Sequence, residues 1–247
     1  MRVLVAVPAL NEAAAIGQVL KSLSAVHPLV DVVIIDDGSR DQTASIAREA
    51  GARVVSHAIN LGVGAAMGTA FKFAVRNGYE AVIQFDGDGQ HRAEHIVELV
   101  AALDRADIVI GTRFAGGGTF KSSRARRGVQ RLIATVASAY ARTKLTDATS
   151  GFRIAGPRAL AVFAEHYPVE WLGDTVESIV LATRQGLTVC EIPVDMNERA
   201  GGVPSQSVFR ATLYTARILF ILGLAGIRTV PPQLRGTRGH RGKQVTA

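Results

Sequence analysis

The segment FDGDGQH, residues 85–91, places two carboxylates directly after an apolar run that begins at Ala81. Such a run predicts a buried strand, and open α/β sheets bind their ligands at the carboxyl ends of their strands. One glycine separates Asp86 from Asp88, so a tight loop can turn both side chains toward one point. Two hard oxygen donors suit Mg²⁺ or Mn²⁺ that is completed by water and substrate phosphates. The alternative is an Asp-Gly turn that caps the following helix.

Four further apolar segments of strand length alternate with stretches of helical periodicity in the first 114 residues. They are residues 3–7, 32–35, 53–56 and 108–110. This alternation predicts a parallel sheet built from right-handed crossovers. Because parallel strands end at one shared edge, polar residues that follow the strands are expected to lie close together there. These residues are Asn11, Asp37, Asp86, Asp88 and Arg113.

The second half of the chain predicts fewer strands, and residues 147–153 are expected to form an acidic turn that leads to a short strand. A helix is expected over residues 128–142 and another from Asp174 or Thr175 to Gln185, with one of those two as its cap. Residues 187–194 predict a strand broken by Pro193, and the single cysteine, Cys190, is expected there as a buried free thiol. The glycines at 62, 64 and 68 have the wrong spacing and position for a dinucleotide-binding loop. They favour close packing of a helix on the sheet.

The charge of the 247-residue chain is unevenly distributed. Residues 108–146 carry eight lysines and arginines with no acid, and residues 205–247 carry seven with no acid. These 15 are over half of the 28 basic residues, which leaves 13 basic against all 21 acidic residues elsewhere, a net charge of −8. The two basic regions therefore predict contact with an anionic partner: phosphate, membrane or nucleic acid.

The C-terminal region indicates a membrane surface. Residues 206–230 are apolar, but their uninterrupted apolar run, 218–227, is shorter than the ~20 residues that span a bilayer. Arg210, Arg217 and Arg228 share one helical face, which favours an amphipathic helix lying on an anionic membrane, with a core helix as the alternative. Residues 231–247 predict a disordered basic tail. The N-terminus opens as a strand without a signal sequence, so we expect a cytoplasmic protein, peripheral on the cytoplasmic face of the membrane.

Five motifs together resemble a family 2 glycosyltransferase with the GT-A fold, and more narrowly its dolichol/polyprenyl-phosphate mannose synthase branch. They are VPALNE at 7–12, IDDGS at 35–39, DGDGQH at 86–91, GTRF at 111–114 and DATSGFR at 147–153. The resemblance implies a GT-A domain over residues 1–205, with a Rossmann-like nucleotide-sugar half at 1–114 and an acceptor half at 115–205. The expected fold is α/β, a mostly parallel sheet flanked by helices, followed by the amphipathic helix.

The resemblance also implies roles for individual residues. The nucleotide sugar would be held by Pro8, Ala9, Asn11, Glu12, Asp37, Asp86 and Arg199. The Mg²⁺ or Mn²⁺ ion would be held by Asp86, Asp88 and Gln90. The acceptor phosphate would meet Arg113, Arg124, Arg126 and Arg127.

The acceptor remains open between two chemistries. A polyprenyl phosphate is already anionic and needs no general base, whereas a glycan or lipid hydroxyl needs a carboxylate to take its proton. Asp174 and Asp147 are the candidates for that base, beside Asp88 and Arg113 as the other catalytic residues, and Asp174 can equally be a plain helix cap. Attack opposite the nucleotide would invert the anomeric centre in either case.

Two other classes of function fit less well. A nucleotidyltransferase would show a glycine-rich opening with an early basic residue, which residues 8–12 lack. A basic scaffold for RNA or membrane would leave the four aspartates at 36, 37, 86 and 88 unexplained, so nucleic acid is not expected as a partner. The expected partners are a nucleotide diphosphate sugar, a polyprenyl phosphate and an anionic membrane surface. A separate membrane-anchoring subunit stays open.

Overall fold

The computed structural model describes residues 1–26, 28–113, 124–168 and 174–197. Seven strands and seven α-helices lie within these ranges. The strands are β1 Val3–Ala9, β2 Val30–Asp36, β3 Arg53–Ser56, β4 Ala81–Gln84, β5 Ile108–Thr112, β6 Arg153–Ala155 and β7 Val189–Pro193. The helices are α1 Ile16–Ser24, α2 Thr43–Glu49, α3 Val63–Arg76, α4 Ile96–Ala101, α5 Arg124–Ala141, α6 Pro157–His166 and α7 Asp174–Arg184. Short 3₁₀ turns, Ala93–His95 and Ala102–Asp104, flank α4.

The strands form one sheet in the order β3-β2-β1-β4-β6-β5-β7. All of them run parallel except β6, which is antiparallel to both β4 and β5. The expectation of a mostly parallel α/β sheet flanked by helices is therefore confirmed. The antiparallel direction of β6 follows from its connection, because the chain enters it from residues 147–152 at the carboxyl edge of its neighbours.

The sheet is buried on both faces because its central strands are mostly apolar. In β1, Leu4 and Ala6 point into one core while Val3, Val5 and Val7 point into the other. The first core lies beneath α3, α5, α6 and α7, and the second beneath α1, α2 and α4. Burial of each large aliphatic side chain contributes about 1.5–3 kcal/mol to stability. Because both faces of the sheet are packed in this way, the strands and their ends are held in fixed positions.

Several sequence expectations change in detail. The helix α6 was not predicted, and α5 begins at Arg124 instead of residue 128. Pro193 does not break the last strand but ends it, which an edge strand tolerates because its outer N–H positions need no partner. Cys190 is a free thiol as expected, although it is half-buried, and this burial raises its pKa.

The predicted amphipathic helix at 206–230, the basic tail at 231–247 and Arg199 lie outside the described residues. Among the helices that the structure describes, none combines the length and the apolar character that crossing a membrane requires.

Candidate active site

The carboxyl ends of β1, β2 and β4 lie side by side, which brings three predicted motifs together. Ala9 ends β1 opposite Asp36, and its carbonyl oxygen accepts a hydrogen bond from the Asp37 N–H at 2.9 Å. On the other side of β1, Gly87 in the Asp86 loop packs closely against residues 8 and 9. A Cβ at Gly87 would lie 3.3 Å from the Pro8 carbonyl oxygen and 3.5 Å from the Ala9 Cβ. Residues 8 and 9 therefore form the floor between the loops that carry Asp37 and Asp86.

Asn11 and Glu12 connect the loop after β1 to the loop after β2. The Asn11 side-chain oxygen accepts from the Arg40 N–H at 2.8 Å, and the Asn11 N–H donates to the Ser39 hydroxyl at 3.0 Å. Asn11 has a φ of 56°, a left-handed conformation that asparagine adopts more readily than most residues. The Glu12 N–H donates to the Thr43 hydroxyl at 2.8 Å, at the start of α2.

The Asp37 carboxylate holds protein backbone. Its two oxygens accept from the N–H groups of Leu61 and Gly62 at 2.9 and 2.7 Å, and one of them lies 2.8 Å from His57 Nδ1. The side chain is only 5% exposed. Asp37 thus orders the loop that enters α3, and any ribose contact would have to be made beside these bonds.

The Asp86 and Asp88 carboxylates are more accessible. Asp88 is half-buried and the Asp86 side chain is 38% exposed. One Asp88 oxygen accepts from the Gln90 N–H at 3.0 Å, which tightens the loop after β4. Gln84 Nε2 lies 3.4 Å from one Asp86 oxygen, while Gln84 Oε1 is buried without a hydrogen-bond partner in the described part of the chain.

His91 is buried behind this loop. It stacks on Phe152 with ring centres 4.7 Å apart and meets the edge of Phe85 at 5.2 Å. Burial lowers the pKa of His91 below its ordinary value, although Asp86 and Asp88 favour its charged form. A neutral imidazole at neutral pH follows from this shift.

Gly151 explains how the DATSGFR segment meets the carboxylate loop. A Cβ at this position would lie 2.8 and 2.9 Å from the two Asp86 oxygens and 3.0 Å from Gln84 Nε2. Real Cβ atoms do not approach so closely, so a side chain here would displace the Asp86 carboxylate. The glycine is required by this close approach.

Asp147 and Arg113 form a buried ion pair. Arg113 donates from Nε and Nη2 to the two Asp147 oxygens at 2.6 and 2.7 Å, with the Asp147 side chain wholly buried and Arg113 15% exposed. Burial opposes the charge on Arg113, but the bonds and charge of Asp147 outweigh it and raise the Arg113 pKa. Both Asp147 oxygens therefore face the Arg113 guanidinium.

The structure reveals two positioning residues to which the sequence analysis assigned no role. Glu191 in β7 accepts from the backbone N–H groups of Thr146 and Asp147, each at 2.8 Å, and so fixes the loop that carries Asp147. Arg153 in β6 is 5% exposed and donates to the carbonyl oxygens of Thr175 and Ser150, tying this loop to the start of α7. The sequence signal that could have identified both residues is a charged side chain within a short, otherwise mostly apolar strand.

The remaining predicted residues are less completely described. Gln90 lies in the carboxylate loop and is half-buried, and its carbonyl oxygen accepts from the Asn197 N–H at 2.9 Å. Asp174 is the first residue of α7, in agreement with the predicted start of that helix, but its side chain lies outside the described part. The backbones of Arg124, Arg126 and Arg127 belong to the first turns of α5, while their side chains are likewise not described.

Comparison with known proteins agrees with this geometry. The model of the family named "Glycosyl transferase family 2" matches residues 4–161. The chain is 28% identical to an undecaprenyl-phosphate mannosyltransferase of Micrococcus luteus over 229 residues, covering 86% of this chain and 93% of that protein. It is 30% identical to a polyprenol monophosphomannose synthase of Mycolicibacterium smegmatis over 223 residues, 83% of this chain and 81% of that protein.

Solved structures show the same fold. A glucosyl-3-phosphoglycerate synthase of Mycobacterium tuberculosis, crystallised with Mn²⁺, uridine diphosphate and phosphoglyceric acid, aligns with a TM-score of 0.69 and 22% identity. The alignment covers 92% of this chain and 80% of that one. The fold is thus the GT-A type expected from the motifs. The chain belongs to glycosyl transferase family 2, and the protein is a glycosyltransferase.

Proposed function

We propose that the protein transfers a hexose from a GDP- or UDP-sugar to a polyprenyl phosphate, with inversion at the anomeric carbon and with a divalent metal ion. The observation that carries this proposal is the unequal state of the carboxylates at the sheet edge. Asp37 and Asp147 are buried and hold protein groups, whereas Asp86 and Asp88 are partly exposed in one loop. The ligand-binding carboxylates are therefore the pair in the DGDGQH segment.

The residues of this loop fit Mg²⁺ or Mn²⁺ by the chemistry of their donors. Asp86 and Asp88 supply hard carboxylate oxygens, with Gln90 beside them. No group of three or more His, Cys, Asp or Glu side chains suited to a metal occurs among the described residues, so the diphosphate and water would complete the coordination. When bound, the ion supplies positive charge where negative charge grows on the leaving diphosphate.

The charged side chains near the site favour a phosphate as the acceptor. Asp147 is paired with Arg113, and this pairing argues against Asp147 as the proton-accepting base. An anionic phosphate acceptor needs no base. The two relatives described above are named an undecaprenyl-phosphate mannosyltransferase and a polyprenol monophosphomannose synthase, which supports a lipid phosphate acceptor. Arg113, held at one fixed geometry, would attract the acceptor phosphate together with Arg124, Arg126 and Arg127 from the start of α5.

The nucleotide sugar would lie over the floor at Pro8 and Ala9, beside Asn11 and Glu12, with Asp37 ordering the adjacent loop. Arg199 would meet the nucleotide phosphates. The helix at 206–230 and the tail at 231–247 would hold the enzyme on the cytoplasmic face of the membrane, because their arginines attract anionic lipid. A membrane-anchoring subunit would be needed only if the purified chain failed to bind such a surface.

The test is transfer of label from a panel of GDP- and UDP-hexoses into solvent-extractable lipid. Purified full chain, polyprenyl phosphate in anionic vesicles and Mn²⁺ or Mg²⁺ are compared with chelator. Asp88→Asn should lower transfer about a thousandfold, because charge stabilisation at the leaving group is lost. Asp104→Asn removes an exposed carboxylate near the opposite end of the sheet and should leave transfer unchanged.

A metal-dependent, mild-acid-labile glycolipid that Asp88→Asn abolishes would establish the reaction and name the donor. Nucleotide release stimulated by a glycan or lipid hydroxyl, without a labelled lipid phosphate, would refute the phosphate acceptor. Severe loss in Asp174→Asn would then identify the base for the hydroxyl reaction.

A further inference from the structure

His91 ends the DGDGQH segment, and nothing in the proposed function requires it. The side chain is 2% exposed. Its ring is fixed between two aromatic side chains, stacked at 21° on Phe152 and perpendicular to Phe85. The imidazole therefore cannot rotate without disrupting the core, so each nitrogen has a defined neighbour.

The first nitrogen closes the carboxylate loop. Nδ1 of His91 accepts a hydrogen bond from the Asp86 N–H at 3.0 Å. A backbone N–H can only donate, so Nδ1 must carry the lone pair and the ring proton of the neutral imidazole must lie on Nε2. The loop from Asp86 to His91 is thus tied at its two ends by one bond.

The second nitrogen faces the carboxylate. Nε2 of His91 lies 3.5 Å from Asp86 Oδ2, while Gln84 Nε2 lies 3.4 Å from Oδ1. Each Asp86 oxygen therefore has an N–H group on its protein side. Gly151 leaves space for the carboxylate but for no side chain of its own, so the orientation of Asp86 is restricted from three directions.

We propose that His91 is a positioning residue that sets the loop and the Asp86 carboxylate for binding the divalent cation and the diphosphate. The proposal rests on the proposed function, because it assigns the cation to this loop. His91 touches neither the substrate nor the ion and acts through Asp86. Groups that orient metal ligands in this way typically contribute 10–100-fold to metal affinity.

The first test reads the proton on the ring of the protein without metal. His95 is an internal comparison four residues away, since its Nε2 accepts from the Asp195 N–H at 3.0 Å and its Nδ1 lies 2.9 Å from a Glu98 oxygen. NMR of histidine labelled with ¹⁵N should give the Nε2–H tautomer for His91 and the Nδ1–H tautomer for His95. An Nδ1–H signature for His91 would overturn the proposal.

The second test measures binding of Mn²⁺ by electron paramagnetic resonance, with and without GDP or UDP. His91→Asn can keep an acceptor near the Asp86 N–H but cannot reach its carboxylate, and should weaken Mn²⁺ binding by roughly 10–100-fold. His91→Gln can still present an N–H toward Asp86 and should bind more tightly than His91→Asn. His95→Gln should bind as the unmodified chain does.

A purely structural role predicts something different. Asn and Gln both remove the aromatic stacking, so equal losses of affinity in the two variants would overturn the positioning role. Affinity within twofold of the unmodified chain in His91→Asn would also overturn it. If Asp88→Asn abolishes binding in that case, the proposed metal site stands and only the role of His91 fails. If the unmodified chain binds no Mn²⁺ even with nucleotide, the proposed function fails and this proposal fails with it.

Discussion

The loops that carry Asp86 and Asp147 enter the same edge of the sheet and are both acidic, but they use their charge in opposite ways. Asp86 has a partly exposed side chain whose neighbours are the neutral groups of Gln84 and His91. Asp147 is wholly buried and faces the guanidinium of Arg113. The difference shows that an acid at the carboxyl edge of a parallel sheet can hold either a ligand or the protein itself, and that burial and the available partner decide which.

Removing one charge from each loop tests this difference most directly. Asp147→Asn leaves Arg113 partly buried without its counterion and should lower the free energy of unfolding by about 3–5 kcal/mol. Asp88→Asn should change it by less than about 1 kcal/mol, since Asp88 is partly exposed and asparagine keeps an acceptor for Gln90. Urea unfolding followed by circular dichroism measures both values. Similar losses in the two variants would contradict the comparison.

A double variant sharpens the result. If the cost of Asp147→Asn comes from the unpaired guanidinium, adding Arg113→Gln should restore part of the lost stability. Losses that simply add would mean that the two side chains are not coupled.

Gly151 is the point where the segment after Asp147 meets Asp86. Gly151→Ala should weaken nucleotide binding in the presence of Mn²⁺ by roughly tenfold or more, because its Cβ would displace the Asp86 carboxylate. Isothermal titration calorimetry measures the affinity. Gly128→Ala in α5 is the matched control, since a Cβ there has no atom within 4 Å. It should leave binding unchanged and add up to about 1 kcal/mol of stability.

Glu191 determines where the Asp147 loop lies. Glu191→Gln removes the negative charge that accepts from two backbone N–H groups and should lower the free energy of unfolding by about 1–2 kcal/mol. The KM for the acceptor should rise while the affinity for the nucleotide stays constant, because the change reaches Arg113 and not Asp86. Thermal unfolding and steady-state kinetics provide the two readouts. An increase in the nucleotide Kd instead would show that the two loops are not separate.

The smallest expected effect on stability is that of replacing Asp41, a third carboxylate, which is exposed. Partial burial would raise the pKa of Asp41, but hydrogen bonds from Thr43 and from the Ala13 N–H outweigh this and lower it. A lowered folded pKa means that the stabilisation is fully present above the ordinary aspartate value of about 4 and is lost as pH falls through the folded pKa.

The corresponding measurement is urea unfolding of Asp41→Asn at pH 7 and pH 3. Because Asp41 is exposed to solvent, we expect a difference at pH 7 of about 0.5 kcal/mol at most, which becomes smaller at pH 3. A difference that grows at pH 3 would have the wrong sign.

Much of the fold could be predicted because its signals are local. Strands β1 to β5 have mostly apolar centres and are separated by helical periodicity, so their existence and parallel direction follow from short segments. The existence of β6 was predicted, but its antiparallel place between β4 and β5 was not, because strand order depends on pairings between distant residues. The edge shared by Asn11, Asp37, Asp86 and Arg113 followed from topology alone.

The sequence by itself determined the family, the fold class and the loop that carries Asp86 and Asp88, since each depends on residues adjacent in the chain. Only the tertiary structure decided which acids remain accessible, because the partners are far apart in sequence. Arg113 and Asp147 are 34 residues apart, and Glu191 lies 44 residues from Asp147. A carboxylate in the sequence looks the same whether it will face solvent or a buried guanidinium, and folding alone brings the partner that distinguishes them.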